Sequence, residues 1–240
     1  MSADRRPAVL LRTTPLGPLV RGLVFELTEG RALPYRAGQS VEVHLPSDGE
    51  APRKRSYSIA TAPNPDFPGR FEIAVTRSAE SPSSWAIHAL DPGAVVDIEG
   101  PRGAFAREGE ARERPALFVA TGTGLSPLRA MLQAELARGD GPPLSLLFGC
   151  RAEADILWGD DLARWATEHP RLRLRVTLSR PGTGWRGLGG RVQAHLGAAL
   201  PGAGAHAYLC GAPAMVRELR GALTASHGFE RASVHTEAHI

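Results

Sequence analysis

The sequence predicts two unlike halves: an antiparallel β-barrel domain over residues 1–110 and an α/β domain built on a parallel sheet over residues 111–240. Three observations carry that expectation. Short alternating apolar segments cut by Gly and Pro fill the first hundred residues. A charged stretch with no apolar period follows at 106–115. Beyond it, buried-strand runs alternate with helical patterns, the order that builds a parallel sheet covered by helices. A chain of 240 residues is long enough for two separate cores.

In the first half, strands are expected at 19–27, 40–45, 55–60, 70–75 and 95–99, with one short helix at 84–90. Ser40-Val41-Glu42-Val43-His44-Leu45 shows the alternation most clearly, since every second residue is apolar and one face can be buried. Turns are marked by Ala62-Pro63-Asn64-Pro65 and Asp91-Pro92-Gly93. Closure of such short strands into a barrel removes their exposed edges. The 106–115 stretch, Ala-Arg-Glu-Gly-Glu-Ala-Arg-Glu-Arg-Pro, has little to bury and reads as a flexible boundary. After it come a strand at Leu117-Phe118-Val119-Ala120, a Gly-rich turn and a helix at 127–138. Strands at 144–148, 172–178 and 206–209 then alternate with helices at 160–168, 192–200 and 214–226.

Composition excludes several function classes. A hydrophobic fraction of 42% without any apolar run of membrane-span length predicts a soluble protein. Met1 to Arg6 is polar and lacks the apolar core of a secretory signal, so the cytoplasm is the expected location. The eight histidines show no metal-ligand spacing with cysteine or carboxylate, and no metal is predicted. Cys150 and Cys210, 60 positions apart, suggest no disulfide framework. Net charge is +3, Lys54 is the sole lysine, and the arginines are dispersed rather than gathered beside aromatics, which argues against nucleic acid. An acidic protein partner, steered by arginine patches, remains compatible.

Two segments carry chemistry. Thr121-Gly122-Thr123-Gly124 lies between a buried strand and a helix, where backbone N–H groups and the helix dipole face a phosphate. Alone it is a weak nucleotide signal, because Pro127 stands where a third glycine would complete the dinucleotide fingerprint, and a ligand-free turn explains it equally well. Arg55-Ser56-Tyr57-Ser58 ends a strand and offers a guanidinium, an aromatic face and hydroxyls within four residues. Alternation puts Arg55 and Tyr57 on one face and Ser56 and Ser58 on the other, so a flavin nucleotide could find a pyrophosphate partner, a stacking ring and a donor to its ring nitrogen. A polar strand end is the plainer reading of that segment by itself.

In order along the chain stand Arg-x-Tyr-Ser, Gly-Pro-x-Gly-x-Phe from Gly100 to Phe105, Thr-Gly-Thr-Gly-Leu-Ser-Pro, and Cys-Gly-x-Pro-x-Met from Cys210 to Met215. This succession resembles the bacterial type of the ferredoxin/flavodoxin-NADP reductase superfamily, from Ala37-Gly38-Gln39 to the Glu237 tail. The resemblance implies an FAD-binding barrel followed by a nicotinamide-binding domain. It implies FAD contacts at Arg55, Ser56, Tyr57 and Ser58, at Ile73, Val75 and Thr76, and at Ser84 near a helix start. Where relatives often carry a glycine before that serine, this chain reads Glu80-Ser81-Pro82-Ser83-Ser84, so Ser83 is an alternative and FMN an alternative flavin. Thr123, with Gly122 and Gly124, would reach the cofactors from the second domain.

The resemblance also sets Cys210, with Gly211 and Met215 of its motif, against the nicotinamide, in a positional role that needs no covalent intermediate. Glu237 would orient the nicotinamide or relay a proton, and Ser58, Cys210 and Glu237 form the implied catalytic set. In place of the terminal aromatic of many relatives stand His239 and Ile240, so no stacking lid is expected. Arg151, Ser179, Arg180 and Arg191 match positions where NADPH-dependent relatives hold the additional phosphate, whereas Glu153 suits an NAD ribose; NADPH is the preferred donor. Two cysteines cannot assemble a four-thiolate iron-sulfur cluster, so any one-electron carrier must be a different molecule; the resemblance implies a ferredoxin or flavodoxin, in turn able to feed a monooxygenase. The rival expectations are an NADH-dependent reductase component of an oxygenase, weakly suggested by Trp185-Arg186-Gly187, and a non-catalytic flavin- or nucleotide-binding electron-transfer subunit.

Overall fold

The computed structural model describes residues 5–45, 53–79 and 81–238. The expectations that touch Met1 to Asp4, Glu80, His239 and Ile240 lie outside the described residues. The first half contains β1 (Arg6–Gly17), β2 (Val20–Leu27), β3 (Ser40–Leu45), β4 (Arg53–Ser58), β5 (Arg70–Thr76), α1 (Pro82–His88) and β6 (Val95–Arg102). The strands form a six-stranded sheet in the order β4-β3-β6-β1-β2-β5, with antiparallel pairing throughout. Its two outer strands meet where Ile59 bridges Ile73 and the Ala60 N–H donates to the Glu72 carbonyl at 2.7 Å, so the sheet curls into a barrel. Inward residues of alternate positions, among them Leu23, Phe25, Val41, Val43 and Ile98, fill the interior, and Ile87 of α1 plugs into the same core.

β1 is the main difference from the sequence reading, which left 6–17 unassigned. The strand is central, paired to both β2 and β6, but its register slips between Leu10 and Arg12 and again between Pro15 and Gly17. Each bulge inverts the phase of the period-2 pattern, so alternation is erased although the strand is intact. The 106–115 stretch also differs from the flexible boundary expected. It forms a 3-10 turn at Gly109–Glu113, and the Arg107 side chain is buried against the second half. Arg107 donates to the carbonyls of Arg112 and Arg114 at 3.3 and 2.6 Å and lies 3.6 Å from the buried Glu135, which also accepts from Arg112 at 2.7 Å. The charges that made the stretch look solvated dock it instead.

The second half contains β7 (Ala116–Thr121), α2 (Leu125–Leu136), β8 (Leu144–Cys150), α3 (Gly159–Glu168), β9 (Leu172–Leu178), β10 (Leu188–Gly189), α4 (Leu196–Ala199), β11 (His206–Gly211), α5 (Pro213–Ser226) and β12 (Val234–Ala238). All pairings are parallel, in the order β10-β9-β8-β7-β11-β12. α2 and α3 cover the face that carries Phe118, Phe148 and Tyr208, and α4 and α5 cover the face that carries Leu147 and Leu209. The helix expected at 192–200 is instead a 3-10 turn, Val192–His195, followed by the short α4. The last segment, read from sequence as a tail, is the edge strand β12. Its His-Thr-Glu run has no apolar alternation, and pairing with β11 decides its state.

Candidate functional site

Strand order reverses between β7 and β11, so the carboxyl ends of these neighbours form the topological switch point at which α/β sheets bind ligands. Thr121 ends β7, Gly122–Gly124 makes a 3-10 turn, and α2 begins at Leu125. Gly122 has φ +54 and open space where a side chain would stand, so its backbone is bare at the end of β7. The Thr121 hydroxyl accepts the Ala212 N–H at 3.1 Å, tying this turn to the end of β11. Gly211 has φ +141, and a Cβ there would strike the Thr121 hydroxyl. The Thr-Gly-Thr-Gly and Cys-Gly motifs, about 90 positions apart in the chain, are thus one surface. Thr121 was missed by sequence reasoning, although it opens the motif that flagged its neighbours.

The barrel brings its own motif to the same place. In the β3–β4 ladder Tyr57 stands opposite Val41 and Ser58 opposite Ser40, so Tyr57 flanks the core while Ser58 lies on the other face. Ser58 is buried, and its hydroxyl donates to Glu237 Oε1 at 3.0 Å, the direct link from barrel to sheet edge. Glu237 sits on β12 directly beside Cys210 of β11. Two residues earlier, His235 stacks on Tyr208 at 4.7 Å and on His206 at 5.3 Å, which seats β12 against β11 and so fixes where Glu237 emerges. The Cys210 side chain is fully buried; burial, then the Glu237 charge, push its thiol well above the ordinary cysteine value, so it stays protonated. Tyr57 is half-buried and its phenol is pushed up to about 12 by burial, partly offset by Arg55.

The other predicted residues divide. Arg55 and Ser56 are exposed, and Ser56 lies 3.4 Å from the Ser40 hydroxyl. Thr76 is exposed at the end of β5, whereas the Ile73 and Val75 side chains belong to the barrel core and the Val75 carbonyl is taken by His88 Nε2 at 2.7 Å. Ser83 is buried, and the Ser84 hydroxyl is engaged locally with the Ser78 N–H at 2.9 Å and the Ser81 carbonyl at 2.7 Å. Met215 packs into the α5 core beneath the sheet. Cys150, left as structural, is half-buried with its thiol pushed up to about 12, by burial first.

At the carboxyl ends of β8 and β9, the Ser179 N–H donates to the Cys150 carbonyl and the Arg180 N–H to the Arg151 carbonyl, at 3.0 and 2.8 Å. The Gly190 N–H donates to the Leu178 carbonyl at 2.8 Å, which brings Arg191 to the same rim. Arg151, Ser179, Arg180 and Arg191 are therefore gathered and all exposed. Glu153 is exposed nearby in the 3-10 turn that follows β8. A separate cluster on the barrel, Glu42, His44 and Glu99, has ligand atoms within 4.8 Å of one another, but Lys54 and Arg102 already neutralise its carboxylates.

Residues 7–106 match the model of the oxidoreductase FAD-binding domain, and residues 118–221 match that of the oxidoreductase NAD-binding domain. Ferredoxin–NADP reductase B of Sorangium cellulosum is 42% identical over 244 residues, covering 99% of this chain and 98% of its own length. The ferredoxin–NAD(P)(+) reductase component of the naphthalene 1,2-dioxygenase/salicylate 5-hydroxylase systems of Ralstonia is 36% identical, covering 77% of this chain and 55% of its own length. Among solved structures, a cytochrome P450 reductase from Amycolatopsis superposes with a TM-score of 0.84 at 28% identity, covering 99% of this chain and 71% of its own.

Proposed function

The chain belongs to the ferredoxin–NADP reductase family of FAD- and NAD-binding oxidoreductases, and from that premise we propose which of its residues align NADPH with FAD and pass electrons to a separate ferredoxin or flavodoxin. FAD, when bound, accepts hydride from the nicotinamide and releases the electrons singly. The chain supplies alignment, a proton path and exclusion of water. Residues 1–110 hold the flavin and residues 111–240 the nicotinamide. One observation carries the reading: Ser58 of the barrel and Glu237 of the sheet edge share a hydrogen bond of 3.0 Å beside Cys210, where the flavin and nucleotide motifs converge.

In this reading Tyr57, Arg55 and Ser58 would hold the flavin: Tyr57 by its aromatic face, Arg55 by its guanidinium on the pyrophosphate, and Ser58 by its hydroxyl at the ring nitrogen that accepts hydride. Ser56 and Thr76 border that site. The Ser58–Glu237 hydrogen bond would let these two side chains hold and relay a proton at the flavin edge. Ser83 and Ser84 act by shaping the loop before α1, since the Ser84 hydroxyl has local partners. Ile73 and Val75 hold β5 in place from the core, and Met215 does the same for α5. The turn Gly122-Thr123-Gly124 and Gly211 accept the dinucleotide by backbone approach at the α2 N-terminus. Cys210, a protonated thiol, supports the nicotinamide by contact alone. Arg151, Ser179, Arg180 and Arg191 take the additional phosphate of NADPH.

In this reading the protein works in the cytoplasm, where Cys150 and Cys210, which form no disulfide, stay reduced and a soluble carrier can serve a monooxygenase. No helix of the described residues is long and apolar enough to cross a membrane. The test is to release and identify the flavin of the purified protein, then compare turnover with NADPH and NADH against ferredoxin and flavodoxin. The reading expects FAD, a preference for NADPH, and reduction of at least one carrier. Colourless protein that refuses added FAD would overturn it.

A further inference from the structure

Several contacts between the two halves converge on one guanidinium that is not itself part of the cofactor motifs. Arg129, on α2, is 6% exposed. Its Nη1 donates to the Ala60 carbonyl at 2.8 Å and to Glu72 Oε2 at 3.3 Å, both in the barrel half, and its Nη2 donates to Asp161 Oδ2 of α3 at 2.6 Å. Its plane lies 4.8 Å above the Trp158 ring. Glu72 is itself buried, and its other oxygen accepts the Trp158 indole N–H at 3.0 Å.

The surroundings are shaped to hold this group. Gly22 of β2 leaves room for it, because a Cβ there would stand 2.8 Å from Glu72 Oε1. Trp158 has φ 49, the one positive value outside glycine among the described residues, and a large aromatic keeps that conformation only where its surroundings impose it. Asp161 meets a burial penalty, yet the hydrogen bond and charge of Arg129, followed by those of Arg164, hold its carboxyl below the usual range. One turn along α2, Gln133 Oε1 accepts the Ala62 N–H at 2.8 Å, so the helix is fastened twice to the same barrel segment.

A buried ion pair adds little net stability, because the loss of hydration offsets the attraction, and packed apolar side chains would join two surfaces equally well. Its distinctive property is geometric: a planar fork is satisfied at one relative placement of its partners. Here the partners lie on the cofactor-bearing segments themselves. Ala60 follows Ser58 by two residues, and Arg129 follows Gly124 by five on the helix that the phosphate turn opens. We propose that Arg129, acting through Glu72 and Ala60, is a positioning residue that sets the nucleotide helix against the flavin strand and thereby the line of hydride transfer. Its consequence for chemistry rests on the proposed function; its consequence for placement does not.

The test uses the full chain with FAD and two variants, the charge-free pair Arg129→Gln with Glu72→Gln and the milder, isosteric Glu72→Gln alone. Removing both charges leaves no lone ion in the interior, so folding is retained while the fork is lost. Flavin reduction at saturating NADPH is expected to slow roughly 10- to 100-fold in the pair and less in the single variant. The NADPH KM should change by less than about threefold, and the primary isotope effect with deuterated NADPH should change. Reduction by dithionite should be unaffected. Independently, spin labels on Val95→Cys and Ala225→Cys, both exposed and one in each half, should report a broadened distance distribution. Wild-type reduction rate and isotope effect, or an unaltered distance distribution, in either folded FAD-loaded variant would overturn the proposal. If the wild-type protein is itself not reduced by either nicotinamide, the functional reading falls, and the label distances still decide the placement.

Discussion

Gly124→Ala adds a single methyl group at the point where the Gly122–Gly124 turn passes the end of β11. Gly124 is buried with φ −59, so the site needs glycine for space and not for conformation. An alanine Cβ would stand 2.5 Å from the Cys210 carbonyl oxygen and 2.6 Å from both the Cys210 carbonyl carbon and the Gly211 nitrogen, where ordinary contact begins at 3.4 Å. All three are backbone atoms of a strand paired on both sides, so the turn must retreat by about 0.8 to 0.9 Å. Overpacking of this kind costs about 1–3 kcal/mol, which for a chain of this size lowers the melting temperature by roughly 2 to 12 °C. A shift approaching an ångström between Cys210 and the dinucleotide should also slow flavin reduction by up to about 100-fold. Calorimetry and anaerobic stopped-flow measure both. Gly221→Ala, on an exposed part of α5 with nothing within 4 Å, is the control and should raise stability slightly. A Gly124→Ala protein that melts with the wild type and is reduced at the same rate would refute the reasoning.

Ser58→Ala should slow flavin reduction about twofold to tenfold, the worth of one hydrogen bond, with little loss of FAD occupancy; unchanged reduction kinetics count against its role. Arg180→Ala should raise the NADPH KM roughly tenfold and leave NADH use nearly unaltered, and an equal loss with both donors rejects a phosphate contact. Burial holds His88, His206 and His235 below their ordinary value of 6.5. The folded chain therefore binds fewer protons than the unfolded chain as pH falls through that value, so stability is full above it and declines below it. Melting temperatures measured from pH 8 down to pH 5 should show the decline, and His235→Phe, which keeps the ring stack on Tyr208, should flatten it; a level profile for the wild type contradicts the sign.

The sequence revealed whatever has a local period or a local motif. β3 and β9 were placed to the residue because their alternation or apolar run is uninterrupted and bounded by turn residues. The Gly122–Gly124 turn was visible because glycine there has a backbone reason, a positive φ at Gly122 and close contact at Gly124. β1 was hidden by two register shifts, and β12 by a polar run that becomes a strand only beside β11. Among site residues, Ser58, Cys210 and Glu237 do converge, yet their meeting depends on the His235 stack, which no sequence spacing encodes. Nothing in the sequence singles out Arg129 or Glu72, each one charged residue within a helix or strand. What makes them a pair is the packing of one half on the other, and a chain separation of 57 positions leaves no local trace of that.

The central claim is that the ends of β4, β11 and β12 hold a flavin and a nicotinamide in line for hydride transfer. Anaerobic mixing of FAD-loaded protein with NADPH in a stopped-flow spectrophotometer tests it directly. The account predicts bleaching of the visible flavin band accompanied by long-wavelength charge-transfer absorption, the sign of the two rings in contact. A band that persists under NADPH and NADH, while dithionite bleaches it at once, would contradict the account.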